Sequence, residues 1–75
     1  MDMIYEVRIY RKNRHDNWQQ EDLLLTNSQV DAVQTGEREV QWWRLRYDDL
    51  YPTKYEVWAF YREKVAEKTV GYCEP

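Results

Sequence analysis

The chain has 75 residues, enough to organise one hydrophobic core and therefore one domain, residues 1–75. With 33% charged and 43% hydrophobic residues its composition is neither that of a disordered tail nor that of a membrane span, and a net charge of −3 offers no global positive field to nucleic acid or anionic lipid. The unusual figure is aromatic content, four Trp, seven Tyr and one Phe against two Gly and two Pro.

Met3 to Lys12 opens the chain with Tyr5, Val7 and Ile9 alternating with Glu6, Arg8 and Tyr10, the period-two pattern of a strand. Asn13 to Asn17 is uniformly polar, and its two Asn and one Asp suit a turn, so a loop is expected there. Trp18 to Thr26 reads as a second strand, because Ser28, with Asp31 three residues on, supplies a fresh helix start just before Ala32 and Val33. The alternative is one helix over about 18 to 35, capped at Asn17. On the favoured reading a short helix runs from about Gln29 to Thr35 and stops at Gly36, a residue type that often ends helices in the left-handed conformation.

Glu39 to Tyr47 alternates again, with Gln41, Trp43, Leu45 and Tyr47 on one side and Val40, Trp42, Arg44 and Arg46 on the other, which predicts a third strand. Turn residues at 48–53 then lead to a fourth strand over Tyr55 to Arg62, forming a hairpin with the third. Glu63 to Val70 either extends that strand or forms a brief helix, and Gly71 to Pro75 reads as a flexible tail. Tyr5-Glu6-Val7 recurs as Tyr55-Glu56-Val57, an echo that two strands sharing a β-forming alphabet already explain. The expected fold is thus α+β: a small single domain in ββαββ order, with an antiparallel sheet of three to four strands and one short helix on one face.

The residue inventory argues against enzyme chemistry. His15 is the sole histidine and lies in a polar loop far in sequence from Ser28 and Cys73, so a nucleophile, base and orienting group cannot be assembled. One His and one Cys are too few for a zinc site, and Gly36 and Gly71 stand alone where a phosphate-cradling loop needs several glycines. Adjacent Asp48 and Asp49 read as a solvated turn. No enzyme activity, cofactor or metal is expected. Cys73 has no partner for an internal disulfide, no apolar run approaches the roughly 20 residues that span a bilayer, and Met1-Asp2-Met3 opens no secretory signal. A cytoplasmic protein with no membrane contact is the expectation.

Function is sought instead in the two faces of the strands. Placing Tyr5, Val7, Ile9, Trp43, Leu45, Tyr47, Tyr55, Val57, Ala59 and Tyr61 under the helix assigns Arg8, Tyr10, Trp42, Arg44, Arg46, Trp58, Phe60 and Arg62 to the uncovered face, with Glu6 and Glu56 among them. The last strand can also be placed the other way, Trp58 and Phe60 inward and Tyr55, Val57 and Tyr61 outward, which shrinks the face to Tyr10, Trp42 and the arginines. Trp, Tyr and Arg are the residue types that dominate protein interfaces, so those eight residues form the expected contact surface for a protein or nucleoprotein partner. Arginine stems lying over the rings would shield the same face without any partner. The reading that follows is a small acidic binding protein, an inhibitor or regulator of the kind phages and mobile elements encode. Single-stranded nucleic acid stacked on the aromatic face is one alternative, and a structural homodimer through that face is the other.

Overall fold

In the computed structural model the described residues are 3–46 and 51–71. They form strands β1 (Tyr5–Lys12) and β2 (Trp18–Thr26), helix α1 (Gln29–Arg46), and strands β3 (Thr53–Ala59) and β4 (Glu63–Val70). The four strands make one antiparallel sheet in the order β2-β1-β3-β4, with α1 packed on one face, so the expected α+β class and ββαββ order hold.

Alternation does its work in the two central strands. Tyr5, Val7 and Ile9 of β1 lie directly opposite Ala59, Val57 and Tyr55 of β3, and all six are buried on the helix side. Residues facing each other across an antiparallel pair share a face, so this register makes one continuous apolar strip. Val7, Ile9 and Val57 have no exposed surface, and each contributes roughly 1.5–3 kcal/mol by leaving water. The Tyr-Glu-Val echo falls on these neighbours, with Val7 and Val57 facing each other at its centre.

The helix differs most from the sequence-based expectation. Its start is as expected: the Ser28 hydroxyl accepts a hydrogen bond from the Asp31 N–H at 3.1 Å, and the Ala32 N–H donates to the Ser28 carbonyl. It does not stop at Gly36. It continues for 18 residues to Arg46, replacing the strand expected over Glu39 to Tyr47. Ala32, Gly36 and Val40 are buried and Trp43 packs against the same core, a spacing of four, four and three that a helix meets and a strand cannot. An 18-residue helix is about 27 Å long, enough to cover the apolar strip. Arg44 and Arg46 close its last turn, where positive charge suits the helix dipole.

Gly36 is needed in mid-helix because of Tyr55. A Cβ built at residue 36 would sit 2.5 Å from Cγ of the Tyr55 ring, so the helix backbone rests directly on that ring. The Tyr55 hydroxyl, its pKa raised by burial, lies beside the Glu37 carboxylate, which raises it further, and Glu37 accepts from Lys68 Nζ of β4 at 2.9 Å. One aromatic ring therefore sets the height of α1 over the second hairpin.

The hairpin expected between residues 39–47 and 55–62 is replaced by a β3–β4 hairpin, because Glu63 to Val70 is neither an extension nor a helix but the fourth strand. The turn residues at Asp48 and Asp49, together with Tyr47 and residues 72–75 of the expected tail, lie outside the described residues. Gly71 is described: it is half-buried, and a Cβ there would lie 3.0 Å from Pro52 Cα.

Candidate interaction surface

The sheet face opposite the helix carries Glu6, Arg8, Tyr10 and Lys12 of β1 beside Trp58, Glu56 and Lys54 of β3. Its side chains lie flat and satisfy one another. Arg8 donates to the Glu6 carboxylate, and its guanidinium stacks 4.4 Å above the Trp58 ring. The Trp58 indole N–H donates to Glu56 at 2.9 Å, and Lys54 Nζ lies 3.0 Å from Glu56 and 3.1 Å from Glu67 of β4. Lys54 also sits over two rings, Trp18 at 4.5 Å and Tyr10 at 5.3 Å, while Lys12 approaches Trp18 at 5.2 Å. Under this layer Glu6 and Glu56 are buried, although among the described residues no element of secondary structure covers them.

The titration behaviour follows from these contacts. Burial works against the Lys54 ammonium, but hydrogen bonds and charge from Glu56 and Glu67 outweigh it and hold its pKa above the ordinary lysine value. Hydrogen bonds from Lys54 and Lys64 lower the pKa of the Glu67 carboxyl. On the helix side, burial and then the neighbouring Glu37 charge raise the Tyr55 hydroxyl.

The eight expected contact residues therefore separate into three places. Arg8, Tyr10 and Trp58 share the outer sheet face, where arginine and lysine cover the rings. Trp42, Arg44 and Arg46 belong to α1, on the other side of the sheet, because the segment carrying them is helical. There Arg46 stacks on Trp42 at 4.6 Å, Trp42 meets Trp43 edge to face at 5.1 Å, and Leu45, expected to be buried, is 85% exposed.

Phe60 and Arg62 form part of the β3–β4 turn, not of a strand. Tyr61, expected beneath the helix, is in that turn as well. The Arg62 N–H donates to the Ala59 carbonyl at 3.1 Å, closing a β-turn whose two central residues, Phe60 and Tyr61, have φ of 52° and 64°. Both are in the left-handed region, which Gly, Asn and Asp enter readily and bulky aromatics seldom do. Neither is repaid by burial: Phe60 is 45% exposed and Tyr61 51%. With Met3, Arg62 and Glu63 they border an open recess of about 560 Å³ at the end of the sheet.

Sequence reasoning missed the Trp18–Lys54–Lys12 cluster and the exposed pair Leu23 and Leu25. Alternation in β2 signalled Leu23 and Leu25, opposite Arg8 and Glu6; Trp18 joins their face, opposite Lys12, only because the pairing with β1 skips Glu21, and alternation alone carries no sign of that shift. Among the described residues, no group of three or more His, Cys, Asp or Glu side chains could hold a metal ion, and no helix is long and apolar enough to cross a membrane. His15 lies in the polar β1–β2 turn, its Nε2 3.4 Å from Arg14 Nε. Comparison with known proteins found no matching family model, curated protein or solved structure.

Proposed function

We propose that this chain is a non-enzymatic binding domain that occupies a surface of a protein partner, as an inhibitor or regulator, and that its contact is the β3–β4 turn. The observation that carries the reading is the pair of half-exposed aromatics held at positive φ. A left-handed non-glycine residue costs on the order of 1–3 kcal/mol, and an Asn-Gly turn at the same place would avoid that cost. Retaining Phe60 and Tyr61 is sensible where their rings anchor a partner, since aromatic side chains supply much of the energy of protein interfaces. Arg62 and Trp58, two of the originally expected contacts, flank the turn, and Met3 extends its apolar surface.

The outer sheet face is less suited to single-stranded nucleic acid. Its cations are engaged with its own carboxylates and rings, and Glu6 and Glu56 at its centre would repel a phosphate backbone.

The test separates stability from binding. The double variant Phe60→Asn/Tyr61→Gly should melt higher than the native sequence, by about 1–2 kcal/mol of added stability, because strain is relieved. In affinity capture from extracts of the native host it should recover the specific partner poorly or not at all. A variant that captures that partner as well as the native chain does would show that the turn is not the contact.

A further inference from the structure

We infer that the open edge of β2 is a self-association site, at which a second copy of this chain adds its own β2 in antiparallel register to make one continuous eight-stranded sheet. This goes beyond the turn-mediated contact proposed above and uses a different surface.

The argument starts from which edges the sheet leaves open. In the order β2-β1-β3-β4 the edges are β2 and β4, and along an edge strand every second residue turns an unpaired N–H and C=O outward. β4 carries Glu63, Lys64, Glu67 and Lys68, charges of the kind that discourage another strand. β2 has no Lys, Arg or Pro, and its two charges, Glu21 and Asp22, and the irregularity in its pairing at Glu21 come before its last four residues, Leu23, Leu24, Leu25 and Thr26. Leu23 is 44% exposed and Leu25 58%, both on the outer face, whereas Leu24 faces the helix side and packs against the core. Helix α1 seats mainly on β1 and β3 and only lightly on β2, so an approaching strand meets little obstruction on that side.

The partner's identity follows from the sequence of the edge. Consider a two-fold axis perpendicular to the sheet through Leu24. Leu24 then faces its own copy, Leu23 faces Leu25 of the partner subunit, and Asp22 faces Thr26 of the partner subunit; the skipped residue Glu21 and the end of β2 at Thr26 bound this regular segment on either side. Four leucines close over one another on the outer face, and no carboxylate meets another. Moving the axis to Leu23 drives Asp22 and Glu21 onto leucines, and moving it to Asp22 brings like charges together. The edge is therefore complementary to itself in the register through Leu24, as an isologous dimer requires, and that register is the one that keeps the pairing within β2 from Asp22 to Thr26. In that dimer the two β3–β4 turns lie at opposite ends of the sheet and stay free.

Sedimentation velocity from micromolar to millimolar chain concentration tests the inference. The native chain should pass from monomer to dimer. Leu23→Lys/Leu25→Lys sets two lysine pairs against each other across the axis and removes the leucine cluster, so its dimer dissociation constant should rise about 100-fold or more. Leu23→Glu/Leu25→Glu should behave in the same way, and an equimolar mixture of the two variants should dimerise again. These positions are exposed, and a circular dichroism spectrum matching the native chain confirms that each variant folds. As a second measurement, Leu24→Cys in a Cys73→Ser chain should form an interchain disulfide on oxidation, because directly opposed residues in antiparallel strands have Cα atoms about 4.5–5.5 Å apart. Lys64→Cys on the other edge should not. A native chain that stays monomeric throughout, as it would if β2 received only a foreign peptide, overturns the inference, and so does a dimer that survives both lysines. Phe60→Asn/Tyr61→Gly should dimerise normally, which separates failure of this site from failure of the turn.

Discussion

The two hairpins of this domain reverse each other's arrangement. In β1–β2 the connection is relaxed: the Asn13 side chain accepts from the His15 N–H at 2.9 Å and the Asn17 N–H at 3.1 Å, and Asp16 takes the one positive φ, 66°, that an Asp tolerates. Its outer edge, however, ends in the apolar run Leu23-Leu24-Leu25. In β3–β4 the connection is strained by two aromatics at positive φ, while the edge is charged and tied inward by Lys64–Glu67, Lys54–Glu67 and Lys68–Glu37 pairs. Each hairpin thus departs at one place from what stability and solubility alone would select, and those departures are the tip of one and the edge of the other. Local rules broken without compensation are where function is most economically sought.

The strongest way to sharpen this comparison is through the helix, which is fastened to the second hairpin at Tyr55. Gly36→Ala places a methyl group against the near end of that ring, so the helix must rise or the ring must leave its position. Alanine's better helix propensity offsets about 1 kcal/mol of this, leaving a net loss of about 2 kcal/mol in chemical denaturation. Hydrogen exchange should quicken more in β3 and β4 than in β2. Equal quickening in both hairpins would mean that the helix is not anchored where the Tyr55 contact puts it.

A smaller effect is expected at the relaxed turn. Asn13→Ala removes the acceptor for two backbone N–H groups and should cost about 1 kcal/mol, seen as a lower midpoint in urea. The sign is opposite to that expected for Phe60→Asn/Tyr61→Gly, and that contrast is what distinguishes a turn selected for folding from one retained for contact. If both changes destabilise, the aromatics are structural.

The charged edge should give the smallest response, and it depends on pH. The Glu67 pKa is lowered by hydrogen bonds from Lys54 and Lys64, so the folded state binds its proton less readily than the unfolded chain does. Its contribution is therefore present above the unfolded carboxyl pKa, and is lost as pH falls through the lower folded value. Because the side chain is 37% exposed, Glu67→Gln should cost no more than about 0.5 kcal/mol at neutral pH. The difference from the native chain should disappear in strong acid. A difference that persists there would assign the effect to packing instead of charge.

Much of this architecture was legible before any coordinates. Residues 5–12 show a strand by alternation and Ser28 a helix cap by its spacing to Asp31, because both signals are local; residues 18–26 fit either a strand or the start of a long helix, and the fresh cap at Ser28 is what favours the strand that the structure shows. The segment 39–46 was misread because Val40, Trp42, Arg44 and Arg46 alternate with Gln41, Trp43 and Leu45 in a way that fits both periods, and because Gly36 seemed to end the helix. Gly36 carried no local sign of its role, since the reason for it is a tyrosine ring 19 positions away in sequence. The same error placed Trp42, Arg44 and Arg46 beside Arg8 and Trp58, from which the sheet separates them.

The amino-acid sequence by itself therefore determined the α+β class, the inward strip of Tyr5, Val7 and Ile9 and the outward position of Arg8 and Tyr10, since side-chain alternation in a strand depends only on neighbouring residues; that Tyr55, Val57 and Ala59 join the strip and Trp58 faces outward is settled by the pairing of β3 with β1. Tertiary structure alone decided how far the helix runs, which rings are covered by cations, and that Phe60 and Tyr61 turn a corner. Each of these rests on what a distant segment brings into contact, and contact across a fold is not written in local spacing.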